Sequence, residues 1–290
     1  MKALWVNVLL FLNGALDLNI WRDFSGSPIA EFFKIATGGA PGDKLIPALY
    51  NVNSDLYLLY GILRAAPAFT DAPAVAMVAL MSYLFQIVSS IGFVKRGQAD
   101  AEGVAPGCGI CVVLGSILAW EASREGLDAG FYDDTFHGNL VAWPAWLVIM
   151  LFAIFCLDFL IFCAPQSFSF LYLQTLQSGA DDKVATCLYE VSGELQLLHA
   201  LVRGAALLMT CPGTTVLAII SFLIEVSSHM FIWHNRHSSL SMVAPLMIIC
   251  VIYSLVLAWQ ACKLWNEFGP GVWCAGFGCW ILLVMKWSCR

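Results

Sequence analysis

Residues 188–205, LYEVSGELQLLHALVRGA, repeat residues 49–66, LYNVNSDLYLLYGILRAA. The offset of 139 residues also carries VAPGCGICVVLGSILAW at 104–120 onto VAPLMIICVIYSLVLAW at 243–259. No gap is needed between them, so Leu49–Trp120 lies on Leu188–Trp259 in one register. Apolar composition produces chance matches of Leu with Leu. It does not align Arg64 with Arg203, Pro73 with Pro212, Pro106 with Pro245 and Trp120 with Trp259 together. The unit is longer than a solenoid repeat of ~20–50 residues, so the chain reads as a duplicated small domain.

Working outward, an offset of 141 lays LLFLNGALDL at 9–18 on MLFAIFCLDF at 150–159 and pairs Asp17 with Asp158. The repeat therefore extends to a first helix. Of the 290 residues, 60% are apolar and 12% are charged, against roughly 25% charged in soluble domains. Several apolar runs reach about 20 residues, the length that crosses a bilayer as a helix. They lack the alternation of barrel strands. The expectation is an all-α membrane protein of two parallel four-helix transmembrane repeats.

The pattern predicts helices at about 3–20, 49–69, 74–94 and 104–120, then at about 141–163, 186–209, 213–233 and 242–262. Residues 1–120 form the first repeat, 121–139 an acidic linker, 140–262 the second repeat and 263–290 a Trp- and Cys-rich tail. Within the tail, Gly271–Trp287 could be a ninth span, a half-inserted helix or an interfacial anchor. The apolar run after Met1-Lys2 carries Asn7, Asn13 and Asp17 and reads as a retained helix rather than a cleaved leader. The segments with SPIAEFFKIATGG and PQSFSFLYLQTLQSG read equally as interfacial pieces or plain loops. Basic residues gather at one set of helix ends (Arg22, Lys34, Lys44, Lys95, Arg96, Lys183, Arg236), against Lys2, Arg124 and Lys263 at the other. That places the first set on the cytoplasmic side.

A net charge of −6 without a basic stripe argues against nucleic acid as a partner. Most of the eleven cysteines lie inside apolar runs, where the residue behaves as a small hydrophobe. Arg64 and Arg203 fall near the ends of the second helices. A charge at mid-depth costs about 2.5–3.5 kcal/mol on insertion scales, so each needs a partner or an interface. Asp17 and Asp158 are the available partners. Asp55 and Glu194 lie nine residues earlier on the same helices, about 13 Å along the axis, too far to pair with them. The Arg reads first as an anchor that fixes helix packing and second as a ligand or lipid-headgroup site.

Glu225 and His229 share one helix face, and the first copy has Gln86 and Ser90 there. Interhelical hydrogen bonding is their expected role. His229, His234 and His237 resemble a di-iron oxidase cluster only faintly, since the chain has five His in all. Cys108-Gly-Ile-Cys111 is similar to the active dithiol of the vitamin K epoxide reductase family, but that chemistry needs a relay Cys pair earlier in the chain. No cysteine precedes Cys108. No cofactor or metal site is expected.

The repeat unit resembles the ergosterol biosynthetic protein 28 family. The resemblance rests on Leu201-Val202-Arg203-Gly204-Ala205-Ala206 and Ile62-Leu63-Arg64-Ala65-Ala66, and on the third-helix pair Glu225 and His229. It also rests on an Ala-Pro opening that leads to Trp, at Ala244-Pro245 to Trp259 and Ala105-Pro106 to Trp120. It implies a non-enzymatic, multi-pass scaffold of the endoplasmic reticulum membrane. Such a scaffold tethers the sterol C4-demethylation enzymes: methyl oxidase, decarboxylating dehydrogenase and keto-reductase. Membrane lipids and those enzymes are the implied partners, and the contact candidates are the Arg, acid, His, Pro and Trp residues just named. The alternatives are a small-molecule or lipid transporter built from duplicated halves, and a membrane thiol redox protein. A tether predicts no enclosed polar cavity. A transporter predicts one between the halves, lined by Arg64, Arg203, Asp17, Asp158 and Glu225.

Overall fold

The computed structural model of the chain describes residues 4–27, 29, 45–70, 72–128, 143–165, 183–209, 211–235 and 238–264. Among these residues the structure is all helical. The first unit holds α1 (Leu4–Arg22), α2 (Leu45–Ala65, continued by a 3-10 turn at Ala66–Ala68), α3 (Pro73–Lys95) and α4 (Ala101–Asp128). The second holds α5 (Ala145–Cys163), α6 (Lys183–Leu208), α7 (Pro212–His234) and α8 (Leu240–Leu264). The eight helices match the eight expected. Gly271–Trp287, His237, Arg236 and the linker beyond Asp128 lie outside the described residues, as do most of the two segments between first and second helices.

Local chemistry sets the helix ends. Pro73 and Pro212 are the first residues of α3 and α7, where a missing N–H costs nothing and the fixed φ suits the helix. Cys211 and Thr214 cap α7 reciprocally. The α3–α4 turn is closed by Gly97 at φ 69°, with N–H bonds from Gly97 to the Val94 carbonyl and from Gln98 to the Phe93 carbonyl. This is a Schellman cap, which needs the left-handed residue that Gly supplies.

Several boundaries differ from expectation, those of the fourth helices most informatively. Pro106 and Pro245 do not open the fourth helices. They sit six positions into them, because Asp100 and Ser239, residues favoured at N-caps, start α4 and α8 by accepting bonds from the Val104 and Val243 N–H groups. Each Pro then removes one bond near the helix start, to the carbonyl of Glu102 or Ser241. In addition, α4 runs on to Asp128, well into the stretch read as linker.

Six helices are long and apolar enough to cross a membrane: α1, α3, α4, α5, α7 and α8. The other two, α2 and α6, carry Asn51, Asn53, Asp55 and Arg64, and Glu190, Glu194, His199 and Arg203. These least apolar helices are the innermost. They pack on each other, and each reaches the third helix of the opposite unit, α2 on α7 and α6 on α3. Contacts that recur with the halves exchanged define a pseudo-two-fold interface. The third helices also meet, and a Cβ on Gly213 would come within 2.5 Å of Val75. The outer flanks of α1, α4, α5 and α8 carry exposed apolar side chains such as Phe11, Val113, Phe152 and Ile252. A polar centre inside an apolar shell is the arrangement that lipid demands.

Within the first unit, α1 and α2 touch through Gly14 and Gly61. A Cβ on Gly14 would lie 2.7 Å from both the Ala65 Cβ and the Gly61 carbonyl oxygen. Small residues permit such contact between membrane helices, and it brings Asp17, one turn beyond Gly14, against Arg64.

Candidate functional site

Each unit encloses an arginine. In the first, Arg64 Nη1 donates to Asp17 Oδ2 on α1 at 2.9 Å, and Nη2 donates to Gln86 Oε1 on α3 at 2.5 Å. Nε lies 3.4 Å from Ser82 Oγ. The guanidinium carbon is 4.4 Å from the Tyr60 ring centre and 4.5 Å from that of Tyr83. Asn13 holds the same Asp17 oxygen from one turn away, at 3.2 Å. The Cys111 thiol on α4 donates to Gln86 at 3.1 Å.

The second unit repeats the arrangement position for position. Arg203 Nη1 donates to Asp158 at 2.6 Å, Nη2 to Glu225, and Nε to Ser221 at 3.1 Å. Its guanidinium stacks on Phe222 at 3.9 Å, and His199 Nδ1 bonds the same Ser221 hydroxyl at 2.9 Å. Both arginines and both aspartates are buried. The cation meets one acid in the first unit and two in the second, because Glu225 stands where the first has Gln86.

Each cluster meets the middle of a third helix, although Arg64 and Arg203 belong to the ends of α2 and α6. Ser82 and Gln86 straddle the centre of Pro73–Lys95, and Ser221 and Glu225 that of Pro212–His234.

Asp55 and Glu194 do not pair with the arginines. Ser228 on α7 donates to Asp55 Oδ2 on α2 at 2.5 Å, and Ser89 on α3 donates to Glu194 on α6. These are one contact made twice across the pseudo-two-fold. Arg96 adds an inter-unit ion pair with Glu190 at 3.0 Å.

His229 is buried, but its Nδ1 bonds the backbone carbonyl of Glu225 at 2.7 Å, so it steadies its own helix and does not bridge to another. His234 is exposed at the end of α7. Pro106 and Pro245 are exposed on α4 and α8. Trp120 and Trp259 point outward, 67% and 52% exposed, so they contribute outer surface and not core. Cys108 and Cys111 are free thiols, the first half-buried and the second buried. Among the described residues no group of three or more His, Cys, Asp or Glu is placed to hold a metal ion.

Each unit also contains a cavity. The first, about 370 Å³, is lined by Asp17, Tyr60, Arg64, Gln86, Gly107 and Cys111, with Glu194 reaching in from the other unit. The second, about 90 Å³, is lined at the equivalent positions by Asp158, His199, Glu225, Leu246 and Cys250. A tether excludes an enclosed polar cavity, and the first cavity is partly open with a mostly apolar wall. A transporter predicts one space between the halves, whereas among the described residues each cavity lies in its own unit and neither is lined by both Arg64 and Arg203. The size difference follows from side chains: Leu246 and His229 occupy the places of Gly107 and Ser90.

Several residues of these cores escape reading from chemistry-bearing motifs, notably Ser82, Ser221, Ser89 and Ser228. The repeat itself marks them. Over the aligned stretch, the identical residues that bear a hydroxyl or a charge are Tyr50/Tyr189, Arg64/Arg203, Ser82/Ser221 and Ser89/Ser228. Three of these four pairs build the cores or their interface.

Fold and cores together define the class: a helical, multi-pass membrane protein of two fused four-helix units, each with a buried arginine core. No protein-family model matches the chain, and no curated protein or solved structure matches it.

Proposed function

We propose that the chain is a non-enzymatic, multi-pass membrane scaffold. The observation that supports this most is the reciprocal pair Ser228–Asp55 and Ser89–Glu194, which fastens two like units into one body. The strongest polar groups of the interior are engaged with one another, in the arginine cores and across the interface. What the molecule offers its surroundings is two similar outer flanks, α1 with α4 and α5 with α8. A body with two similar flanks can hold two neighbours at high effective concentration without acting on their substrates. The resemblance to the ergosterol biosynthetic protein 28 family supplies the partner class, the sterol C4-demethylation enzymes, and the compartment, the endoplasmic reticulum membrane.

The test is affinity purification of the tagged chain in mild detergent, with mass spectrometry of co-purifying proteins and lipids. The scaffold predicts near-stoichiometric recovery of membrane enzymes of sterol C4-demethylation. Recovery of the chain alone with a bound small molecule or lipid overturns it. That outcome favours the second reading, a small-molecule or lipid transporter, for which the two cavities speak. Their separation counts against a single site that alternates between halves.

A further inference from the structure

The two cavities occupy equivalent positions, yet one is enlarged and differently charged. In the first unit Gly107 lines the wall, and a Cβ placed there meets no atom within 4 Å. The second unit has Leu246 at that position, lining a cavity of about 90 Å³ against about 370 Å³. The larger volume lies in the range of small-molecule sites, ~300–1,000 Å³.

Charge narrows the ligand. The one cation of the cavity wall, Arg64, is matched by Asp17. Two further carboxylates line the same space, Glu102 at the start of α4 and the buried Glu194 from α6. Ser89 is the only hydrogen-bond partner of Glu194 among the described residues. A carboxylate taken out of water with one hydroxyl partner is poorly compensated. The wall thus holds three carboxyl groups, Asp17, Glu102 and Glu194, against the one guanidinium, and a bound ammonium group would supply the countercharge that Glu194 lacks. Tyr57 adds an aromatic ring to the lining, a surface that attracts organic cations, while the rings of Tyr60 and Phe93 already face Arg64 and Arg96. The buried Tyr60 hydroxyl has no hydrogen-bond partner among the described residues, and neither has Nε2 of His199 at the matching place in the second unit. Leu16 on α1 and Ile110 on α4 line the cavity and are exposed on the outer flank. The space therefore opens sideways towards lipid.

We infer that the first-unit cavity binds a lipophilic amine: an apolar body that enters between α1 and α4, with an ammonium group facing Glu194. The second unit, narrowed by Leu246 and His229, does not take it. This site does not rest on the scaffold reading: it uses no outer-flank tryptophan, although Glu194 belongs to the second unit and takes part in the contact between units.

The test uses the full chain, purified in neutral maltoside detergent and immobilised, with radiolabelled n-octylamine as probe and octanoate and octan-1-ol as competitors. Saturable octylamine binding is expected, and neither competitor should displace it at equal concentration. E194Q keeps the acceptor for Ser89 but removes the charge, and it is expected to weaken binding by roughly tenfold or more, the scale of a lost charge-assisted hydrogen bond. G107L, which copies the second unit, is expected to abolish binding at an unchanged melting temperature. If G107L misfolds, S90H, which copies His229, serves as the filling variant. Absence of saturable binding, equal displacement by octanoate or octanol, or full binding by E194Q and the filling variant overturns the proposal. Co-purification of partners with G107L separates this outcome from the fate of the scaffold reading.

Discussion

The hydroxyl of Ser228 on α7 donates to the carboxylate of Asp55 on α2, 2.5 Å away and across the boundary between the two units. Its counterpart Ser89 donates in the same sense to Glu194. A homodimer makes each such contact twice because its subunits are identical. Here one chain makes it twice because its halves are copies that still pack as a dimer would. Hydrogen bonds to a charged group contribute about 1.5–3 kcal/mol. S228A and S89A should therefore each lower the thermal midpoint in detergent by several degrees and by similar amounts. A double-mutant cycle of S228A with D55N should show coupling. Neutral single variants, or a cycle without coupling, would remove the serines from the interface account.

The arginine cores should respond to the loss of one partner more than to the loss of all. Removing one member of a buried pair costs about 3–5 kcal/mol, because the other charge is stranded. R203M strands Asp158 and Glu225, whereas R64M strands Asp17 alone. R203M should be the more damaging in a thermal melt. Adding D158N and E225Q should restore much of the loss. R203K should also destabilise, since a single ammonium cannot reproduce the planar fork that serves three partners.

Gly14 and Gly61 set the α1–α2 distance. In G14V the new Cβ meets the Ala65 side chain and the Gly61 carbonyl at 2.7 Å. Overpacking of this kind costs about 1–3 kcal/mol, sometimes more. G14V should lower the melting temperature, whereas G107A, in open space, should leave it in place. Equal melting of both variants would refute the close approach.

Trp120 faces outward, so W120A should change stability by no more than about 0.5 kcal/mol, and W259A serves as its counterpart on the other flank. If the outer flanks carry the partner contact, recovery of co-purifying membrane proteins should fall in one or both variants. Comparing the two identifies the working flank.

Cys108 is half-buried, and Cys111 is buried against Gln86. Maleimide labelling of the folded protein should modify Cys108 and spare Cys111. Alkylation after non-reducing denaturation should find both as free thiols, and an intact Cys108–Cys111 disulfide would favour the redox alternative.

The amino-acid order by itself determined the class, the duplication and the helix count. Those depend on one-dimensional properties: the length of apolar runs, the position of Pro at helix starts, and a register that aligns rare residues with themselves. It also pointed to Asp17 and Asp158 as partners for Arg64 and Arg203, since a buried cation in lipid needs an acid, but not to Glu225 as the second partner of Arg203. The fourth helices start at Ala101 and Leu240, slightly before the expected 104 and 242, with Asp100 and Ser239 immediately ahead of them.

Only the tertiary structure decided what faces what. Hydropathy cannot say that α2 and α6, the most polar helices, lie innermost, because burial depends on the neighbours that cover a surface. The meeting of Arg64 with Asp17 depends on the close approach of α1 and α2 at Gly14. The Ser–acid pairs join residues 105 and 173 positions apart, a proximity that no local pattern encodes. The two cavities share their positions in the repeat. Their difference in size is written in Gly107 against Leu246, a change that acquires meaning only once both residues are seen to line the same place.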